Sequence, residues 1–164
     1  MSKTFSELGI HAELQENLAK LQISVPTNVQ EKTIPLILLK KEDVVVLAKT
    51  GTGKTAAFGL PLLQLIDAES TKIQALILAP TRELGQQIHN NLVSFATENQ
   101  KSTIASICGG IPIKHQIELL KETIHTVLAT PGRLVDLVNR EAIIIKDINY
   151  YVLAEAAALV SALK

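Results

Sequence analysis

The sequence predicts an α/β domain built on a mostly parallel central sheet with helices on both faces. Two observations carry this. Short apolar, β-branched runs alternate along the chain with longer segments of helical periodicity, the pattern of βαβ units with right-handed crossovers. The short runs are apolar at nearly every position, as parallel strands covered on both faces must be. These runs are Val44 to Ala48, Ala75 to Ala79, Thr103 to Ile107, Thr126 to Ala129 and Tyr150 to Leu153. Helical stretches cover Lys54 to Ile66, Arg82 to Thr97, Ile113 to Lys121 and Arg133 to Asn139. Two more, about His11 to Leu21 and Asn28 to Leu39, precede the first strand. Pro35 and Pro61 fall inside two of these helices and are expected to kink them or move their starts.

The chain has 164 residues, read as a single domain over residues 1–164 with enough length to bury a core. Apolar residues make up 47% and charged residues 20%, the balance of a soluble globular protein. No apolar run approaches the roughly 20 residues that cross a bilayer, and the N-terminus lacks a basic-then-apolar signal pattern. No membrane partner is expected, and the expected location is cytoplasmic. Cys108 is the one cysteine, which excludes an internal disulfide; in its apolar stretch it reads as a small buried hydrophobe. Lys plus Arg and Asp plus Glu balance at 16 each, so bulk charge does not hold nucleic acid here. Any such contact must come from a local cluster of donors. His11, His89, His115 and His125 show no metal-ligand spacing.

The strongest local signal is Ala48-Lys49-Thr50-Gly51-Thr52-Gly53-Lys54-Thr55, between a strand-like run and a helix. Inward-pointing N–H groups and the positive end of the helix dipole make such a turn a phosphate cradle. Gly51 and Gly53 permit backbone shapes and close approaches that a Cβ would block. Lys54 can reach β- and γ-phosphates, and the Thr55 hydroxyl can ligate Mg²⁺. Ala48 occupies the first glycine position of the general pattern. Ala-x-Thr-Gly-x-Gly-Lys-Thr is the variant found in helicases related to the DEAD-box family.

Further segments resemble that family in order and spacing. Pro26-Thr27-Asn28-Val29-Gln30, with Phe5 upstream, is similar to its adenine-reading element. The resemblance implies that the Gln30 amide bonds the adenine edge, which needs a donor and an acceptor together, and that Phe5 stacks on the ring. Where the family has Gly eight residues before the Gln, this chain has Gln22. Pro80-Thr81-Arg82-Glu83-Leu84-Gly85-Gln86-Gln87 resembles Pro-Thr-Arg-Glu-Leu-Ala-x-Gln, with Gly85 in place of Ala. Gly109-Gly110 and Thr130-Pro131-Gly132-Arg133 follow the next two strands. In the family these three elements line one groove that holds single-stranded or structured RNA by its sugar–phosphate backbone. Hydroxyls, helix-start N–H groups and Arg forks suit phosphate, and 2′-OH contacts select RNA without reading sequence. Singly, each also reads as a turn or a solvated helix-end pair.

The pattern breaks after Leu153. Where the family carries Asp-Glu-Ala-Asp, this chain has Ala154-Glu155-Ala156-Ala157, and the Ala-rich tail through Lys164 departs as well. The resemblance assigns Mg²⁺ holding to the first Asp, water activation to the Glu and coupling to the RNA groove to the last Asp. Glu155 alone remains, so the Mg²⁺ site is expected to be weakened and hydrolysis severely impaired. The family core also needs a second RecA-like domain bearing arginine fingers, themselves worth about 10³–10⁵ in rate, and these residues do not supply it. The expectation is therefore a RecA-like, ATP-binding half of an RNA helicase. Its alternative is a silenced nucleotide- or RNA-binding module without turnover. A P-loop NTPase outside the helicases fits poorly with the Gln30 element and the Thr-Pro-Gly-Arg loop.

Overall fold

The computed structural model describes residues 3–39 and 43–162. The elements are α1 (Ala12–Lys20), α2 (Asn28–Leu39), α3 (Lys54–Leu65), β1 (Ala75–Leu78), α4 (Arg82–Phe95), α5 (Glu98–Lys101), β2 (Ile104–Ile107), α6 (Ile113–Leu119), β3 (Thr126–Ala129), α7 (Pro131–Asn139), β4 (Tyr150–Leu153) and α8 (Ala156–Ala162). They form two compact units, Met1–Leu65 with Asn91–Gln100 and Ile66–Asn90 with Lys101–Lys164. Among the described residues no helix is long and apolar enough to cross a membrane.

In the first unit α1 buries Leu14 and Leu18, one turn apart on a single face. The helix closes in a Schellman motif: the Ile23 N–H reaches Leu18 O at 2.9 Å and the Gln22 N–H reaches Ala19 O at 3.0 Å. Gln22 has φ 60°, so it adopts the left-handed backbone that glycine would take there without strain. α2 packs on α3. Pro35 and Pro61 lie inside these helices, whose starts stay at Asn28 and Lys54. Each proline removes one helical hydrogen bond, and burial of Ile34, Leu60, Leu62 and Leu63 around them offsets that loss.

Val44 to Ala48, expected as a strand, is not one. The segment belongs to no ladder among the described residues, and Val45 and Leu47 are 86% and 95% exposed. β-branched residues favour an extended chain, but a strand exists only through a paired neighbour, and the described residues of this unit provide none.

The second unit contains a four-stranded parallel sheet in the order β2-β3-β1-β4. β3 is buried at every position and β1 at all but Leu78. Leu76, Ile107, Val127, Leu137 and Ile148 form the centre of the core. β4, at the edge with one neighbour, alternates instead, leaving Tyr151 and Leu153 exposed; the expectation of cover on both faces fails there. α7 starts at Pro131, two residues before the expected Arg133, because the fixed φ of proline suits the first helical turn. α5 and α8 were not expected. α8 forms within the Ala-rich tail, where alanine carries the best intrinsic helix propensity.

The register places the motifs. Leu78 aligns with Ala129 on one side and Leu153 on the other, and Ile107 aligns with Ala129. All four strands therefore finish at one edge of the sheet. Gly109-Gly110, Thr130–Arg133, Pro80–Glu83 and Ala154–Ala157 leave that edge side by side, in this order.

Candidate functional site

The cradle lies in the first unit. The Thr52 hydroxyl donates to Lys49 O at 2.7 Å, closing the turn, and Gly51 and Gly53 take φ 81° and 86°. Lys54 and Thr55 open the 12-residue α3, and the positive end of its dipole faces the turn, which suits an anion. Lys54 Nζ donates to Ala48 O at 2.6 Å, so the ammonium folds back over its own loop. Exchanging a neutral carbonyl for phosphate oxygens would strengthen that hydrogen bond. Lys49, Thr50 and Gly51 are exposed.

Thr27 and Gln30, expected to face adenine, join this loop through hydrogen bonds. Gln30 is 3% exposed; its Oε1 accepts the Thr27 N–H at 3.0 Å and its Nε2 donates to Gly53 O at 3.2 Å. The Thr27 hydroxyl donates to Thr52 O at 2.9 Å. A carboxamide carries a second N–H and a second lone pair beyond these two bonds, the donor and acceptor pair that an adenine edge takes. A Cβ at Gly53 would fall on Gln30 Nε2 and stand 3.3 Å from Thr27 Oγ1, so glycine there makes room for the amide. Phe5 is buried in the core of this unit, with no part in those hydrogen bonds.

The second unit holds the remaining candidates. Thr81 Oγ1 accepts the Leu84 N–H at 3.2 Å, capping α4 and starting it at Arg82. Arg82 lies against Gly110, at φ 93°, where a Cβ would meet the guanidinium. Gly109 lies beside the same side chain, its Cβ position 3.9 Å from Arg82 Cδ. Arg133, in the first turn of α7 after Thr130, Pro131 and Gly132, donates from Nη1 to Ile111 O at 3.0 Å and also to Gln116 Oε1. Thus Arg82 and Arg133 both reach the Gly109–Ile111 turn, and two cationic forks flank one loop. Glu83 is exposed on α4.

Glu155 follows β4, exposed, at φ 52°, a strained backbone for a side-chain-bearing residue. Its carbonyl accepts the Ala158 and Leu159 N–H groups at 2.9 and 3.1 Å and so begins α8. Thr55 offers a hydroxyl to a cation, but Ala154 and Ala157 offer no carboxylate. Among the described residues no group of three His, Cys, Asp or Glu side chains converges. The donors of the Lys49–Thr55 turn fit phosphate, and the segment after β4 offers a metal no Asp side chain at Ala154 or Ala157.

Gln116 escaped the sequence reading. It is 2% exposed on α6 and lies in the stripe Ile113, Ile117, Leu120 that faces the core. A lone amide at helical spacing within an apolar stripe was the available signal. Gly85, standing in the position of an Ala, is explained by packing: a Cβ would be 2.7 Å from Cys108 Sγ and 2.9 Å from Leu128 Cδ2. Cys108 is buried, as expected.

A Gly-Thr-rich turn opening a helix, and a parallel sheet whose strand ends carry the other motifs, define the class of P-loop nucleotide-binding α/β domains. The narrower assignment follows from comparison with known proteins. The model of the DEAD/DEAH box helicase family matches residues 27–162, and this chain belongs to that family. It is 45% identical over 152 residues to the DEAD-box ATP-dependent RNA helicase CshA of Streptococcus pneumoniae, covering 93% of this chain and 29% of that protein. It is 40% identical over 161 residues to the RNA helicase CrhR of Synechocystis, covering 98% of this chain and 32% of that protein. The chain thus spans a minor part of these relatives' length. Among solved structures, a DEAD box protein from the hyperthermophile Methanococcus jannaschii superposes with a TM-score of 0.90 at 34% identity, over 98% of this chain and 44% of that one. The RNA helicase Prp28 from Chaetomium thermophilum, bound to ADP, gives 0.85 at 37% identity, over 94% of this chain and 39% of that one.

Proposed function

We propose that this chain is the ATP-binding, N-terminal RecA-like domain of an RNA helicase whose full-length form couples RNA-stimulated ATP hydrolysis to duplex separation. The observation that carries the reading is the shared sheet edge, from which Pro80–Glu83, Gly109-Gly110, Thr130–Arg133 and the segment around Glu155 emerge as neighbours. Gln30 selects adenine, the Lys49–Thr55 turn and the Lys54 ammonium hold the phosphates, and Arg82, Arg133 and the helix starts hold RNA phosphates. Glu155 is the one remaining group to orient a water. With Ala154 and Ala157 in place of carboxylates, nucleotide binding depends little on Mg²⁺ and turnover by this chain is severely impaired.

The missing carboxylates also favour a second reading, a silenced module that binds without turnover. Titration with ATP, ADP and GTP, with and without Mg²⁺, tests the first part of the proposal. Adenine-selective binding nearly independent of Mg²⁺ supports it; preference for GTP overturns it. Restoring Ala154→Asp and Ala157→Asp and joining a second domain from a relative separates the two readings. RNA-stimulated hydrolysis returns under the first and stays absent under the second.

A further inference from the structure

We infer that Gln116 is a positioning residue that sets the Arg133 guanidinium for RNA phosphate; the inference rests on the proposed role of Arg133 in the groove. Gln116 is 2% exposed, and a buried amide is tolerated only with its polar atoms satisfied. Both ends are used: Nε2 donates to Cys108 O at 2.8 Å, and Oε1 accepts from Arg133 Nη1. Cys108 immediately precedes Gly109-Gly110, so one side chain on α6 ties that turn to the fork on α7. Arg133 Nη1 also donates to Ile111 O at 3.0 Å, which fixes the guanidinium from a second direction.

The chemistry of the partner matters as much as its place. A carboxylate at this position would orient the arginine and also neutralise it. An amide oxygen orients the fork and leaves its full charge for phosphate, with the other guanidinium N–H donors unspent on Gln116. A fork held before RNA arrives loses less side-chain freedom on binding. The buried amide is therefore a source of affinity and not only a core hydrogen bond.

The test measures binding of a fluorescent single-stranded RNA to this chain across a salt series, for the parent, Arg133→Ala, Gln116→Met, Gln116→Glu and the Gln116→Met/Arg133→Ala double variant. Losing one phosphate contact lowers the slope of log affinity against log salt by about 0.7 for single strands. Arg133→Ala is expected to show that drop. Gln116→Met is expected to weaken binding about threefold or more, with no further loss in the Arg133→Ala background. Gln116→Glu keeps an acceptor but pairs with the arginine, so the salt slope falls as in Arg133→Ala. Thermal unfolding checks that each variant folds, and Gln116→Glu carries the test alone if Gln116→Met does not. Additive losses, or parent-like affinity for Gln116→Met and a parent-like slope for Gln116→Glu while Arg133→Ala weakens binding, overturn the positioning role alone. Parent-like binding by Arg133→Ala overturns the groove reading and this proposal with it.

Discussion

Two glycines, one in each unit, solve the same problem under different constraints. Gly53 at φ 86° and Gly110 at φ 93° each leave space for a side chain from another motif, Gln30 in the first case and Arg82 in the second. The Gln30 amide is buried and bonded to main-chain atoms at both ends, whereas the Arg82 side chain is exposed and meets Gly110 with its flexible tip. A methyl group at Gly53 must displace a fixed, satisfied amide. At Gly110 it need only push a guanidinium into water. The backbone cost of a Cβ at positive φ, about 1–2 kcal/mol, is common to both. What distinguishes them is how much freedom the neighbour keeps.

Gly53→Ala should therefore give the largest effect. ATP affinity is expected to fall at least about tenfold by calorimetric titration, because the methyl group must displace the Gln30 amide beside the loop, and a disturbance of about 1.4 kcal/mol to the bound state equals that factor. An unchanged affinity would mean that the amide yields freely. Gly110→Ala should cost about 1 kcal/mol in stability while weakening RNA binding only about threefold in a fluorescence titration, because Arg82 can swing aside. Equal functional losses at the two glycines would sink the comparison.

Gly85→Ala removes backbone strain from the question, since its φ is not positive. Helix propensity favours Ala over Gly by about 1 kcal/mol, but the added methyl would press on Cys108 and Leu128. The net expectation is a loss of about 1 kcal/mol in denaturant unfolding, largely recovered when Cys108→Ala is added. A stabilised Gly85→Ala single variant would show that this contact yields. The smallest effect runs in the opposite direction. Gln22→Gly places glycine where the backbone is already left-handed, and should raise stability by about 0.5 kcal/mol, read as a higher melting temperature.

Much of this was legible in the chain. The Gly-Lys-Thr turn, the strand-end motifs and the apolar runs of β1 to β4 are made of contiguous residues, so their chemistry is written locally. The expected strand bounds at Thr126–Ala129 and Tyr150–Leu153 match the observed ones. The candidate site was legible as a set of segments, because Pro80–Glu83, Gly109-Gly110, Thr130–Arg133 and Ala154–Ala157 each stand where a strand gives way to a turn. Its internal wiring was not, as Gln116 shows.

Sequence by itself determined the alternation of strands and helices, the cradle and the order of the motifs, since apolar pattern and turn chemistry act within a few residues. Tertiary structure alone decided which apolar runs became strands. Val44 to Ala48 and Ala75 to Leu78 are similarly apolar, yet the second lies between β3 and β4 while the first belongs to no ladder among the described residues. It also decided that Gln116 serves Arg133, that Gln22 takes a glycine's conformation and that Arg82 rests on Gly110. The ladder and the side-chain contacts join residues far apart in the chain, and the Gln22 backbone follows from the hydrogen bonds that close α1. Burial and pairing, not local preference, set their free energy.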